Sequence, residues 1–146
     1  MRSDFAISLH IMGFLTASNG TPLSSQVLAE TYGTNPVVIR RLLSKLNFAN
    51  LVTTQRGVGG GSILARDPSA INLRDIYLAV TEKPGFLPRY PVREHGPSSV
   101  IGAYINTLLE SVEEDALIRL SEINICEMDE KVRPAICKLL EGRNFD

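Results

Sequence analysis

Four glycines crowd into the five positions 57–61, directly after Arg56. No helix tolerates such a run, since each interior glycine costs about 1 kcal/mol against alanine. A hairpin tip suits it, because there the backbone needs positive φ and close approach. The flanks agree with a hairpin. Residues 51–55 contain Leu51, Val52 and two threonines, and residues 62–65 contain Ile63 and Leu64, both compositions of short strands. A glycine loop can also cradle a phosphate, but that arrangement needs a Lys followed by Ser or Thr and a helix after the loop. Here a strand pattern follows, so the segment is expected to form a two-stranded wing.

The residues before it give the wing its context. Residues 4–18 hold Phe5, Ile7, Leu9, Ile11, Met12, Phe14 and Leu15 without a proline and stop at Asn19-Gly20, which predicts a buried opening helix. Thr21-Pro22-Leu23 is a short extended link. Ser24 or Ser25 can then cap a second helix running to Tyr32-Gly33. A third helix follows a tight turn, with Thr34 or Asn35 as its cap and Pro36 at the first helical position, where a missing N–H costs nothing. It runs to about Ala49. The order is helix, tight turn, helix, wing.

On a helical wheel the third helix divides cleanly. Ile39, Leu42, Leu43 and Leu46 lie on one side, and Val37, Arg40, Arg41, Ser44 and Lys45 on the other. In a helix-turn-helix the second helix enters the major groove of DNA, its first residues meeting base edges. Asn35, Val37, Arg40 and Arg41 are therefore the candidate base readers, and Ser44 and Lys45 the candidate phosphate contacts. Arg56, with Gly57, Val58 and Gly59 at the wing tip, is placed for a narrow minor groove, where negative potential is enhanced. Charge distribution points the same way. Residues 1–93 carry ten Lys and Arg against five Asp and Glu, while residues 94–146 carry five against eleven. The first part suits a polyanion and the second does not.

Beyond the wing, Asp67-Pro68 breaks the chain, and Asn72 with Asp75 resembles a capping box that opens a fourth helix carrying Leu73, Ile76, Tyr77 and Val80. Four prolines between residues 82 and 97 dictate a connecting loop. From Ser98 a long helix is expected, with Ile101, Ile105, Leu108, Leu109, Val112, Ala116, Leu120 and Ile123 within one arc over about six turns. A small winged domain has little surface to cover such a stripe, so a second copy of the chain is the expected partner. The last segment, residues 128–140, is interrupted by Pro134 and predicts a kinked or short helix.

Over residues 23–82 the chain resembles the Rrf2 family of bacterial winged-helix regulators, whose members include an iron–sulfur cluster regulator, a nitric-oxide-sensing repressor and a cysteine-metabolism repressor. The resemblance is most specific at Arg56-Gly57-Val58-Gly59-Gly60-Gly61, which is similar to the family's wing. It extends through Leu28-Ala29, residues 35–46, Leu51-Val52, Leu64-Ala65-Arg66, residues 71–73 and residues 76–80. It implies a homodimer in which the long helix crosses its counterpart and each wing meets DNA. The sequence departs from cluster-binding members in one respect. Those members carry three cysteines in the loop before the long helix, and residues 82–97 contain none. A lone His95 is no substitute for the mostly thiolate ligands that a cluster needs, so no metal and no cofactor is expected.

Cys126 and Cys137, the only cysteines, are eleven residues apart and read as reduced, structural thiols. His10 reads as structural. No Ser/His/Asp grouping, metal-ligand cluster or nucleotide loop is visible, so no enzyme is expected. The opening residues show no export signal and no apolar run long enough to span a bilayer. The expectation is therefore a mostly α protein with a small β wing. It comprises a winged helix-turn-helix over residues 1–81, a connecting loop over 82–97 and dimerisation helices over 98–146. Its function is that of a cytoplasmic, homodimeric, sequence-specific repressor of transcription acting on double-stranded DNA. Phe86, Arg89, Tyr90, Arg93 and His95 are candidates for a small-molecule effector pocket. The rival is a winged-helix adaptor for proteins or ligands with no DNA role, which would not require the basic face or Arg56.

Overall fold

The computed structural model describes residues 2–83, 85–91 and 96–142. Arg93 and His95 lie outside the described residues. The elements in chain order are α1 (Arg2–Ala17), α2 (Ser25–Tyr32), α3 (Pro36–Phe48), β1 (Val52–Gln55), β2 (Gly61–Leu64), a 3-10 turn (Pro68–Ala70), α4 (Leu73–Val80), α5 (Pro97–Ser121) and α6 (Ile125–Glu141).

Local chemistry sets most of these boundaries. Ser24 accepts from the Val27 N–H, Asn35 from the Val37 N–H ahead of Pro36, and Asn72 and Asp75 form a reciprocal capping box, so three helices start where a side-chain oxygen satisfies a free backbone donor. Gly33 ends α2 at φ +83°, and Asn50 turns the chain out of α3 at φ +58°. α5 begins at Pro97, one residue before Ser98, because proline is favoured at the first helical position.

α1 is apolar nearly all round and stands at the centre, touching α2, α3, α4 and α6. Ile11, Met12 and Leu15 on it are fully enclosed with Leu28, Ile39, Leu42, Leu46, Leu51, Ile71 and Ile76. Phe5 packs edge-on to Tyr77 of α4 at 5.3 Å between ring centres. The wing is an antiparallel pair in the register Val52↔Leu64 to Gln55↔Gly61. Two backbone hydrogen bonds between Leu23 and Ser62 moor it in front of α2.

The C-terminal helices differ from the sequence expectation. α6 starts at Ile125, three residues before the expected segment, with Asn124 accepting from the Glu127 N–H, and continues as one helix through Pro134. Tertiary contacts offset the hydrogen bond that proline removes. Ile125 and Ile136 join the central core beside α1, Arg133 pairs with Asp129 and reaches the Thr16 carbonyl, and the α5–α6 junction is tied to the start of α4 by Leu73 N–H to Ile123 O and Ile125 N–H to Ile71 O. Residues 98–142 thus divide. α6 returns to the winged core, while among the described residues no side chain of α5 belongs to the central buried cluster.

Candidate nucleic-acid interface

Burial of Ile39, Leu42, Leu43 and Leu46 fixes the rotation of α3 and turns Val37, Arg40, Arg41, Ser44 and Phe48 outward. The caps at Ser24 and Asn35 set the α2–α3 turn, and the Leu23–Ser62 bridge sets the wing against it. Between α3, the start of α2 and the wing lies an open groove of about 720 Å³. Arg40, Ser44 and Asn47 line it from α3, Thr53, Thr54 and Arg56 from the wing, and Ser24 and Ser25 from the head of α2; among the described residues no carboxylate lines it. Two guanidinium groups, six hydroxyl-bearing residues of the lining and a helix N-terminus favour an anionic, hydrogen-bond-accepting occupant.

The predicted contact residues fall into three sets. Arg40, Ser44 and Arg56 converge on the groove, where Arg40 donates from Nε to the Ser25 hydroxyl at 3.2 Å. Asn35 is occupied as the cap of α3, while Val37 beside it is exposed. Val58 stands clear of the wing between Gly57 and Gly59, both at positive φ. Arg41 and Lys45 are engaged elsewhere. Arg41 forms a bidentate pair with Asp4 of α1, both N···O distances 2.9 Å, and Lys45 sits 3.3 Å from the Glu82 carboxylate and 3.5 Å from the Val80 carbonyl. The wheel could not show these partners, 35 to 37 residues distant. Ser24, Ser25, Thr53 and Thr54 were missed as groove residues. The sequence signal was the cap pair at the head of α2 and the double threonine next to the glycine run.

The loop after α4 is fastened to α5. Glu113, buried on α5, accepts from the backbone N–H groups of Phe86 and Leu87 at 2.8 and 2.7 Å and pairs with Arg89 at 2.6 Å. The Arg89 guanidinium first, then the Leu87 and Phe86 amides, hold the Glu113 carboxyl down to about 2. Tyr77, Phe86, Arg89, Glu110 and Leu117 surround a smaller hollow of about 270 Å³ beside this clamp. Tyr90 does not line it; its backbone is held by Asn106 of α5.

On α5 the expected stripe splits. Ile101, Leu108 and Val112 are 54, 48 and 53% exposed and are joined by Tyr104, whereas Ile105, Leu109, Ala116 and Leu120 are half-buried. His10 is bonded through Nε2 to the Thr31 hydroxyl between the rings of Phe14 and Tyr32, and burial lowers its pKa. Cys126 and Cys137 are both half-buried, and burial, with Asp67 and Asp129 nearby, pushes the Cys126 thiol up, which disfavours a reactive thiolate. Their eleven-residue separation on α6 is roughly 16 Å of helix rise, too far for a shared metal or a disulfide. Among the described residues no group of three or more His, Cys, Asp or Glu side chains is placed to hold a metal ion, and no helix is long and apolar enough to cross a membrane.

Comparison with known proteins gives a consistent result. Residues 1–131 match the model of the family described as Rrf2, iron-dependent transcriptional regulator. The Bacillus subtilis protein YwnA, assigned as an HTH-type transcriptional regulator, is 33% identical over 115 residues, covering 78% of this chain and 82% of its own. Among solved structures, CymR, the global cysteine regulator of B. subtilis, superposes with a TM-score of 0.70 at 22% identity, over 90% of this chain and 96% of its own. IscR of T. potens superposes at 0.64 with 23% identity, over 91 and 88%.

Proposed function

Since the chain belongs to the Rrf2 family and is a DNA-binding transcriptional regulator, we propose that it acts as a homodimeric, sequence-specific repressor in the cytoplasm, reading its operator with the groove between α3 and the wing. One observation carries the reading. Two elements bring Arg40 and Arg56, 16 residues apart in sequence, into a single groove whose lining contains no carboxylate among the described residues. Val37, Arg40 and Ser44 meet base edges and phosphates in the major groove, and Arg56 with the Gly57–Gly59 tip follows the backbone into the adjacent minor groove. The outward apolar side chains of α5 join a second copy, so that two such grooves address a two-fold symmetric site.

The residues present do not fit an iron–sulfur cluster: the loop before α5 offers no thiolate, and the two thiols lie far apart on α6. A small-molecule effector seated beside the Glu113 clamp supplies the signal instead in this reading, and no catalytic role is assigned.

The test is binding of the purified, metal-free protein to genomic DNA fragments over a salt series. Salt-sensitive, sequence-selective binding by a dimer is expected, and Arg40→Ala should reduce discrimination by about 1–3 kcal/mol at one position of each half-site. Equal affinity for every fragment, unaffected by Arg40→Ala, would return the adaptor reading to first place.

A further inference from the structure

Among the described residues, Arg41 is the one cation on the outward face of α3 that a well-shielded carboxylate holds. Asp4 comes from the first turn of α1, and its side chain is only 13% exposed, while that of Arg41 is 48% exposed. The contact is end-on: Nη1 and Nη2 each donate one hydrogen to a different Asp4 oxygen at 2.9 Å. A guanidinium has five N–H donors in a rigid plane, so three remain, among them the side-on pair formed by Nε and the outer hydrogen of Nη2. That pair matches a bidentate acceptor such as the O6/N7 edge of guanine. On the wheel Arg41 lies beside Val37, on the flank of α3 away from Arg40 and the wing-side groove. An unrestrained arginine there can swing to any phosphate on that groove wall. One that is fixed by its far end cannot, and its charge is already matched.

Resting on the reading of α3 as the recognition helix, we propose that Asp4 is a positioning residue for DNA recognition: it withholds the Arg41 guanidinium from phosphates and presents its side-on edge to a base. Asp4 itself touches no DNA. The pair thereby trades general affinity for sequence discrimination.

The test uses the full chain, a duplex enriched by the wild-type protein from a randomised pool, single-base variants of that duplex, and calf-thymus DNA. Asp4→Asn frees Arg41. It should bind calf-thymus DNA more tightly, with a log–log salt slope steeper by about one per subunit, and lose about tenfold of its discrimination at one position of each half-site. Asp4→Asn should add nothing to Arg41→Ala. A merely structural brace predicts the reverse pattern: selective and non-selective binding fall together with thermal stability, and the salt slope stays put. That result, or unchanged discrimination in Asp4→Asn, overturns the proposal. Should Asp4→Asn fail to fold, Arg41→Lys keeps the charge without the planar fork and must show the same loss at the same base; full discrimination by Arg41→Lys overturns the proposal equally. Arg40→Ala in parallel separates the two readings. If it weakens selective binding while the Asp4 variant behaves as wild type, only the role of Asp4 fails; if it too changes nothing, the assignment of α3 to the major groove fails.

Discussion

Arg40 and Lys45 lie on the same polar side of α3 with opposite surroundings, and the difference decides what each contributes to a polyanion. Arg40 has a hydroxyl for a neighbour and an open groove before it; Lys45 has a carboxylate and a carbonyl. Counterion release counts cations that meet phosphates, at a slope of about 0.9 per contact. Arg56→Ala should therefore flatten the salt dependence of DNA binding by about that amount per subunit, whereas Lys45→Ala should leave it near wild type; titration at several salt concentrations distinguishes them. The wheel located the polar face of α3 correctly from sequence, because burial of Leu42 and Leu46 leaves one rotation open. It could not reveal that Asp4 and Glu82 reach that face, since pairing across 37 residues depends on how α1 and α4 pack. Glu113 was similarly hidden among the acids of α5. Its lowered pKa, caused chiefly by Arg89, means that its contribution is complete above the ordinary carboxylate range near 4.5 and is lost as pH falls toward about 2. Glu113→Gln should remove that part of the acid dependence. The difference in chemical denaturation between wild type and variant should be constant above pH 5 and shrink below it, and a pH-independent difference would refute the clamp.

At the scale of elements, the wing was legible because few backbone geometries accept four glycines in five residues, and the capped helices were legible because Ser24, Asn35-Pro36 and Asn72 with Asp75 satisfy donors locally. The glycines of the wing are not equivalent. Gly57 and Gly59 need positive φ, while a Cβ on Gly60 would run into the carbonyls of Gln55 and Gly57. Gly60→Ala should cost about 1–3 kcal/mol, as overpacking does, and weaken DNA binding while leaving the helical circular-dichroism signal intact. α6 was the element read least well. A proline inside an amphipathic pattern argues locally for a kinked or short helix, but the buried anchors Ile125 and Ile136 and the stitched α5–α6 junction carry the helix on to Glu141. Pro134 is exposed, so its ring has no packing role to lose. Pro134→Ala restores a backbone donor to the Glu130 carbonyl and should raise stability by about 1–3 kcal/mol, less what proline contributes by stiffening the unfolded chain; an unchanged or lowered melting temperature would show that the proline fits its place.

For the whole molecule, the question is what α5 is for. Periodicity merged two faces into one stripe, since a wheel cannot tell an apolar residue that packs on its own subunit from one that packs on another. The structure separates them: Ile105, Leu109, Ala116 and Leu120 are half-buried, and Ile101, Tyr104, Leu108 and Val112 face outward over about three turns. An outward apolar face of that length on a helix detached from the central cluster is what a subunit interface requires. If α5 carries the proposed interface, dimerisation and folding should be separable. Breaking that proposed interface would expose nothing the winged core depends on, because among the described residues the core cluster draws on α1, α2, α3, α4 and α6 and on no side chain of α5. Leu108→Glu should therefore give a folded monomer by light scattering, with a melting profile that no longer varies with protein concentration. Two linked grooves make the second half-site encounter intramolecular, so the wild type should prefer a two-fold symmetric duplex over a single half-site by orders of magnitude. The monomeric variant should bind both duplexes with nearly the same weak affinity, the intrinsic strength of one groove. If Leu108→Glu instead unfolds the chain, the outward face of α5 is part of the fold and not a separable interface; if it stays dimeric, the second copy sits elsewhere.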